Sequence, residues 1–221
     1  MTTDLLDNKW ARIFAGLAAT FVWIVLVIQF YLQLTNPDVD VAIGERIVRF
    51  FSYFTTLTNI IVATAWTAVA FFPGTRIGGF FCKASMLTAV AVYISIVGLI
   101  YSLFLRGVWN PAGWQKFADH SLHDASPIFF VVFWLVFVEK GELRWNDPLK
   151  WLGYPLVYVL YSLVRGAFVN WYPYWFADAS TLGYPAAFRN ALLVLVAFLI
   201  IGLIFTAIGK LARKKTVAAA S

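Results

Sequence analysis

Charge is scarce in this chain: Asp, Glu, Lys and Arg make up 13% of its 221 residues, where soluble domains carry about 25%. Cysteine is scarcer still. Cys82 is the only one, which excludes an intramolecular disulfide and any multi-cysteine metal cluster and leaves the redox compartment open; a small apolar core residue is its ordinary role. His120 and His123 are the only histidines. Zinc held by both together with Asp119 or Asp124 would lack a third histidine or a second cysteine, so no metal and no cofactor are expected. Internal repeats are absent, and low complexity is confined to Ala218-Ala219-Ala220.

Apolar residues are abundant instead: 62% of the chain is hydrophobic and 19% aromatic. A soluble fold cannot bury that much apolar surface. The apolar runs are continuous rather than alternating, and several approach the roughly 20 residues that cross ~30 Å of hydrocarbon as a helix. The expected architecture is all-α, a polytopic integral membrane protein with a six-helix transmembrane bundle in one domain. The spans are expected at about 10–34, 50–72, 80–105, 120–138, 149–169 and 187–208. Asn36-Pro37, Pro73-Gly74 and the turn residues from Trp109 to Trp114 separate the first four. The run after the polar segment Met1 to Lys9 is too long for a signal-peptide core and is expected as a retained first span.

Six spans put both termini on one side. That side collects Lys9, Arg12, Arg76, Lys83, Lys140, Arg144, Lys150, Lys210, Arg213, Lys214 and Lys215, and the other Arg46, Arg49, Arg106, Lys116 and Arg189. The positive-inside rule then predicts cytoplasmic termini in a cell (inner) membrane. The net charge of +6 is therefore a matter of topology. Membrane lipids are the expected partners and nucleic acid is not; the oligomeric state is open.

Both histidines lie in Asp119-His120-Ser121-Leu122-His123-Asp124-Ala125-Ser126-Pro127, expected where a polar loop enters span four, with Pro127 tolerated in the first turns or kinking them. Asp119 and His123 stand at i, i+4 and His120 and His123 at i, i+3, spacings that let all three share a helix face. Span two carries Thr55, Thr58 and Asn59 on one face. At ~1.5 Å rise per residue, Thr55 lies roughly 8 Å inside its span, and His123 and Arg165 about a turn inside theirs, all in the outer leaflet. Histidine suits general-base work near neutral pH, a carboxylate can fix its tautomer, and a threonine hydroxyl becomes a nucleophile when such a base takes its proton. The alternative readings are ordinary ones: interhelical bonds for the threonines, solvation for the histidines, and an ion pair or snorkelling for Arg165. Asp124 is the first candidate partner for Arg165, and a substrate carboxylate the second.

Tyr53-Phe54-Thr55-Thr56-Leu57-Thr58-Asn59 and Asp119-His120-Ser121-Leu122-His123-Asp124 resemble the two polar motifs of the androgen-induced membrane hydrolases, multi-span threonine hydrolases of fatty acid esters of hydroxy fatty acids. Trp151-Leu152-Gly153-Tyr154-Pro155, Tyr158, Tyr161, Arg165-Gly166 and Tyr172-Pro173-Tyr174 resemble the bacterial six-span branch of that superfamily. Asp119 stands where the animal proteins have Asn, and Asp124 where they have Thr. The resemblance implies Thr55 as nucleophile, or Thr56 if the register slips by one, and His123 as base. Asp119, His120 or Asp124 would support the histidine, and Asn59 or Arg165 would bind an oxyanion or carboxylate. The alternative is a membrane protein that binds or transports a lipid or small molecule without catalysis.

Overall fold

Asn8 opens the first helix by accepting the N–H groups of Trp10 and Ala11 on its side-chain oxygen, two of the donors that a helix start leaves without carbonyls. In the computed structural model, which describes residues 5, 7–108 and 110–220 with side chains through 212, this helix is α1, Lys9–Thr35. It is followed by α2 (Ile43–Ser52), α3 (Phe54–Phe71), α4 (Arg76–Phe81) and α5 (Ala84–Ile100), which continues as a π-helical turn, Tyr101–Leu105. Next come α6 (Gly113–His120), a second π turn (Ser121–Ala125), α7 (Ser126–Phe137), α8 (Asp147–Trp151), α9 (Gly153–Val169), α10 (Ala179–Leu182) and α11 (Tyr184–Ala220). No strand occurs among the described residues.

Among the described residues, six stretches are long and apolar enough to cross a membrane: Lys9–Thr35, Phe54–Phe71, Ala84–Leu105, Gly113–Phe137, Asp147–Val169 and Tyr184–Ala212. Two of them differ from expectation in a way that matters for the site. The second begins at residue 54 rather than 50, because Tyr53 is extended (φ −80°, ψ 128°) and breaks the chain from α2. Residues 43–52, expected mostly as polar loop, form that separate helix, on which Glu45 pairs with Arg49 one turn on (2.9 Å). Arg46 ties it to the end of α1 and the following loop through the carbonyls of Leu34 (2.9 Å) and Asn36 (2.7 Å). The fourth stretch begins at residue 113 rather than 120, so the histidine segment lies within a helical stretch, not at a loop edge.

The chain clusters into two compact units, residues 1–143 with 209–221, and residues 144–208. In the first, α1 packs on α3 and buries a row of small residues, Ala11, Ala15, Ala18, Ala19 and Val22, of the kind that lets helix backbones approach closely. Below the polar end of α3 an aromatic core closes the unit: Trp66 meets Phe130 (ring centroids 5.0 Å) and Phe14 stacks on Phe133 (5.8 Å). Trp134 Nε1 donates to Thr88 Oγ1 (2.8 Å), joining α7 to α5. Lys140 closes α7 by donating to the carbonyls of Leu135 (2.9 Å) and Val138 (2.7 Å), and burial holds its ammonium below the usual lysine range.

In the second unit α9 ends at Asn170 in the left-handed region (φ 51°). Tyr172 folds back over Gly166, where a Cβ would come within 2.1 Å of the ring. Leu163, Ala179 and Ala187 form the small core there.

Candidate active site

Three places in the first unit converge: the first turn of α3, the end of α5, and the π turn between α6 and α7. The extended backbone at Tyr53 makes Thr55 the second residue of its helix. Leu57 is the first residue there whose N–H closes a turn, onto the Tyr53 carbonyl (3.1 Å), so the Thr56 N–H stands ahead of the helical ladder.

The π turn has a local cause: in α-helical register the Pro127 ring would crowd the His123 carbonyl four residues back. Ser126 N–H bonds the Ser121 carbonyl, five residues back; in that register the Leu122 carbonyl would be served by residue 127, a proline with no N–H. Asn59 takes over. Its Nδ2 donates to Leu122 O (3.2 Å) and to Thr55 O (2.9 Å), tying the threonine turn to the histidine turn. Gly98 lets α5 close against the same point, since a Cβ there would lie 3.2 Å from the His123 carbonyl and 3.3 Å from the Pro127 ring. The π turn on α5 is the same device: Arg106 N–H bonds Tyr101 O five residues back (2.8 Å). Single π turns within α-helices recur at functional sites.

Between these elements Thr55 Oγ1 lies 3.2 Å from His123 Nε2. His123 Nδ1 lies 2.9 Å from the Asp119 carbonyl oxygen and 3.2 Å from Asp119 Oδ1. Both neighbours of Nδ1 are acceptors, so the proton sits on Nδ1 and the Nε2 lone pair accepts from the Thr55 hydroxyl. Tyr101 stacks on the imidazole (centroids 4.2 Å, planes 17° apart) and donates its hydroxyl to Asp119 Oδ2. Thr55 and Asp119 are buried, and 14% of the His123 side chain is exposed. Water is largely kept out, which strengthens the electrostatics of every partner.

The segment Asp119–Asp124 contains two interleaved i, i+4 pairs facing different surroundings. Asp119 and His123 face Thr55 and Tyr101. His120 does not join them: its Nδ1 pairs with Asp124 Oδ2 (2.7 Å), and Arg106 donates to Asp124 Oδ1. This outer cluster is about 30–43% exposed and borders a groove of about 660 Å³ that runs past Lys116 and Phe117 to Ile128 and Phe129. Asp124, the expected partner of Arg165, is thus engaged by Arg106 and His120. Arg165 lies in the second unit, 5.0 Å over the Trp171 ring. The hydroxyl that meets the imidazole is that of Thr55; Thr56 is buried beside it. Among the described residues no three His, Cys, Asp or Glu side chains are grouped to hold a metal ion.

Tyr101, Gly98 and the Arg106–Asp124 pair escape a reading by motif. A signal for Tyr101 exists nonetheless, because it stands four residues before the end of span three, at the depth that groups Thr55 with His123.

No family model, curated protein or solved structure matches the chain. The chemistry therefore rests on the geometry. That geometry can draw a proton from Thr55 onto His123 and hold the resulting imidazolium against a buried carboxylate.

Proposed function

We propose that this chain is an integral membrane hydrolase of lipid esters, of the fatty acid ester of hydroxy fatty acid type, with Thr55 as nucleophile and His123 as base. One observation carries the reading: the Thr55 hydroxyl is 3.2 Å from His123 Nε2 while Nδ1 is held by Asp119. Thr55 Oγ attacks the ester carbonyl as its proton passes to Nε2. The bond to the hydroxy fatty acid breaks, that oxygen leaves with the proton, and acyl-Thr55 remains. Water then adds to the acyl carbonyl and gives a proton to His123, and Thr55 leaves with it, releasing a fatty acid. Asp119 orients the imidazole and balances its positive charge, and Tyr101 fixes Asp119.

The oxyanion is received by the first-turn N–H of Thr56, the residue after the nucleophile, a position used in other nucleophile turns and favoured by the helix dipole. Asn59 spends both amide hydrogens on backbone carbonyls and so positions rather than donates. Arg165 has no role in this reading. Six long apolar helices support membrane insertion, and the distribution of Lys and Arg supports cytoplasmic termini in the inner membrane. The resemblance to the androgen-induced membrane hydrolases supports the same residues.

The test is fatty acid release from such an ester by the purified full chain. Thr55→Ala and His123→Ala are each expected to lower turnover by about 10²- to 10⁴-fold; undiminished turnover in both would falsify the assignment. The groove beside His120 and Asp124 favours a second reading, lipid binding or transport. Ester binding with neither turnover nor labelling by a hydrolase-directed probe would establish it.

A further inference from the structure

Beneath the Thr55–His123 pair, over about three helical turns of α3, three polar side-chain atoms lie buried without hydrogen-bond partners: Asn59 Oδ1, Ser126 Oγ and Trp66 Nε1. All three residues have 0% exposure. Asn59 is one turn on from Thr55 along α3, and Ser126 three residues on from His123 along α7.

Their residues line one seam between α3 and the helix that carries His123. The two helices run parallel there: Asn59 meets Leu122 through its amide (3.2 Å), and seven residues on Trp66 meets Phe130 (ring centroids 5.0 Å). Ser126 is midway between Leu122 and Phe130 on the same helix face, so it stands about 6 Å from either contact along the axis. Opposite it α3 offers the small side chain of Ala63, also fully buried. The fold satisfies buried indoles where protein groups suffice, as Trp134 does on Thr88 (2.8 Å). Along this seam it does not.

The three atoms are chemically complementary to water. Asn59 Oδ1 only accepts, Trp66 Nε1 only donates, and a serine hydroxyl does both. Buried waters sit where several such groups converge. We infer that Asn59, Ser126 and Trp66 bind a short file of buried water, and that this water feeds the deacylation step. The second half rests on the hydrolase reading. A site within apolar surroundings needs its own supply of water once Thr55 is acylated. There the water oxygen bonds the acyl carbon, one of its protons passes to His123 Nε2, and the Thr55–acyl bond breaks with that proton returning to Thr55 Oγ.

Ser126→Ala, made in the full chain, separates the alternatives because it removes one oxygen and little volume. Loss of a water-bonded hydroxyl lowers the thermal midpoint by about 2–4 °C. An unchanged or higher midpoint overturns the water site, since deleting a partnerless buried hydroxyl relieves an unmet desolvation penalty. If the variant does not fold, an electron-density map of the wild-type chain decides: a water peak within about 3 Å of Asn59 Oδ1 supports the site and a blank seam overturns it. Intact mass spectrometry during turnover tests the second half. Acyl-Thr55 accumulates in Ser126→Ala and not in the wild type; equal accumulation in both removes the deacylation role. Absence of turnover in the wild type as well would count against the hydrolase reading alone, because the thermal and density measurements do not depend on it.

Discussion

Tyr101 stacks on His123, donates to Asp119 and lies under the Arg106 guanidinium (4.9 Å from its centroid), so one phenol touches the imidazole, the carboxylate beside it and the outer charge cluster. Tyr101→Phe keeps the stack and removes the hydrogen bond. It is expected to lower kcat up to about tenfold, the equivalent of one such bond, with KM unchanged; a rise in KM at constant kcat would contradict the positioning role. Cys82 behaves differently. It is buried outside the long apolar stretches, and burial pushes its thiol up to about 11. The reactive thiolate is therefore scarce below that pH, and alkylation of the folded protein at pH 8 is expected to be slow, becoming fast on denaturation. Rapid labelling of the folded chain would contradict this. At this scale the meeting of Thr55 and His123 was expected from residue type and from position along their helices. Tyr101 was hidden in an apolar run, because nothing in a tyrosine's neighbours along the chain tells which ring it will stack on.

At the scale of elements, the decisive features are the break at Tyr53 and the two π turns. Proline 127 was expected to be tolerated or to kink its helix; it leaves the Leu122 carbonyl without a backbone donor, and Asn59 fills the gap. Pro127→Ala removes the ring that would crowd the His123 carbonyl in α-helical register and so lets the segment relax toward that register. The thermal midpoint is expected to rise by about 2–4 °C while turnover falls, as the His123 ring leaves Thr55; unchanged turnover would show that the π turn does not set the site. Gly98→Ala presses on the same turn from α5. A Cβ 3.2 Å from the His123 carbonyl must displace it by a few tenths of an ångström, and a loss of turnover larger than the loss of stability is expected from paired activity and melting measurements. Hydrophobic periodicity announces a helix, but one extra residue within a turn barely alters it, so neither π turn could be seen in advance.

For the whole molecule, six long apolar helices make a sharp topological prediction. Reporter fusions at the two termini should give the same side, with the loop containing Lys140 to Arg144 on that side and the loop containing Arg106 opposite. Termini on opposite sides would contradict six spans. Six helices follow from composition and order alone, since the number of consecutive apolar residues needed to cross hydrocarbon is a property of the linear chain. Position along each helix follows too, because rise per residue is constant. Rotation about the helix axis does not. Thr55 and His123 are 68 residues apart, and folding alone decides that their side chains meet, that His120 turns outward to Asp124, and that Tyr101 lies on the imidazole. Those outcomes depend on how Gly98, Pro127 and Asn59 let three helices close on one another, a matter of packing between segments that no single segment contains.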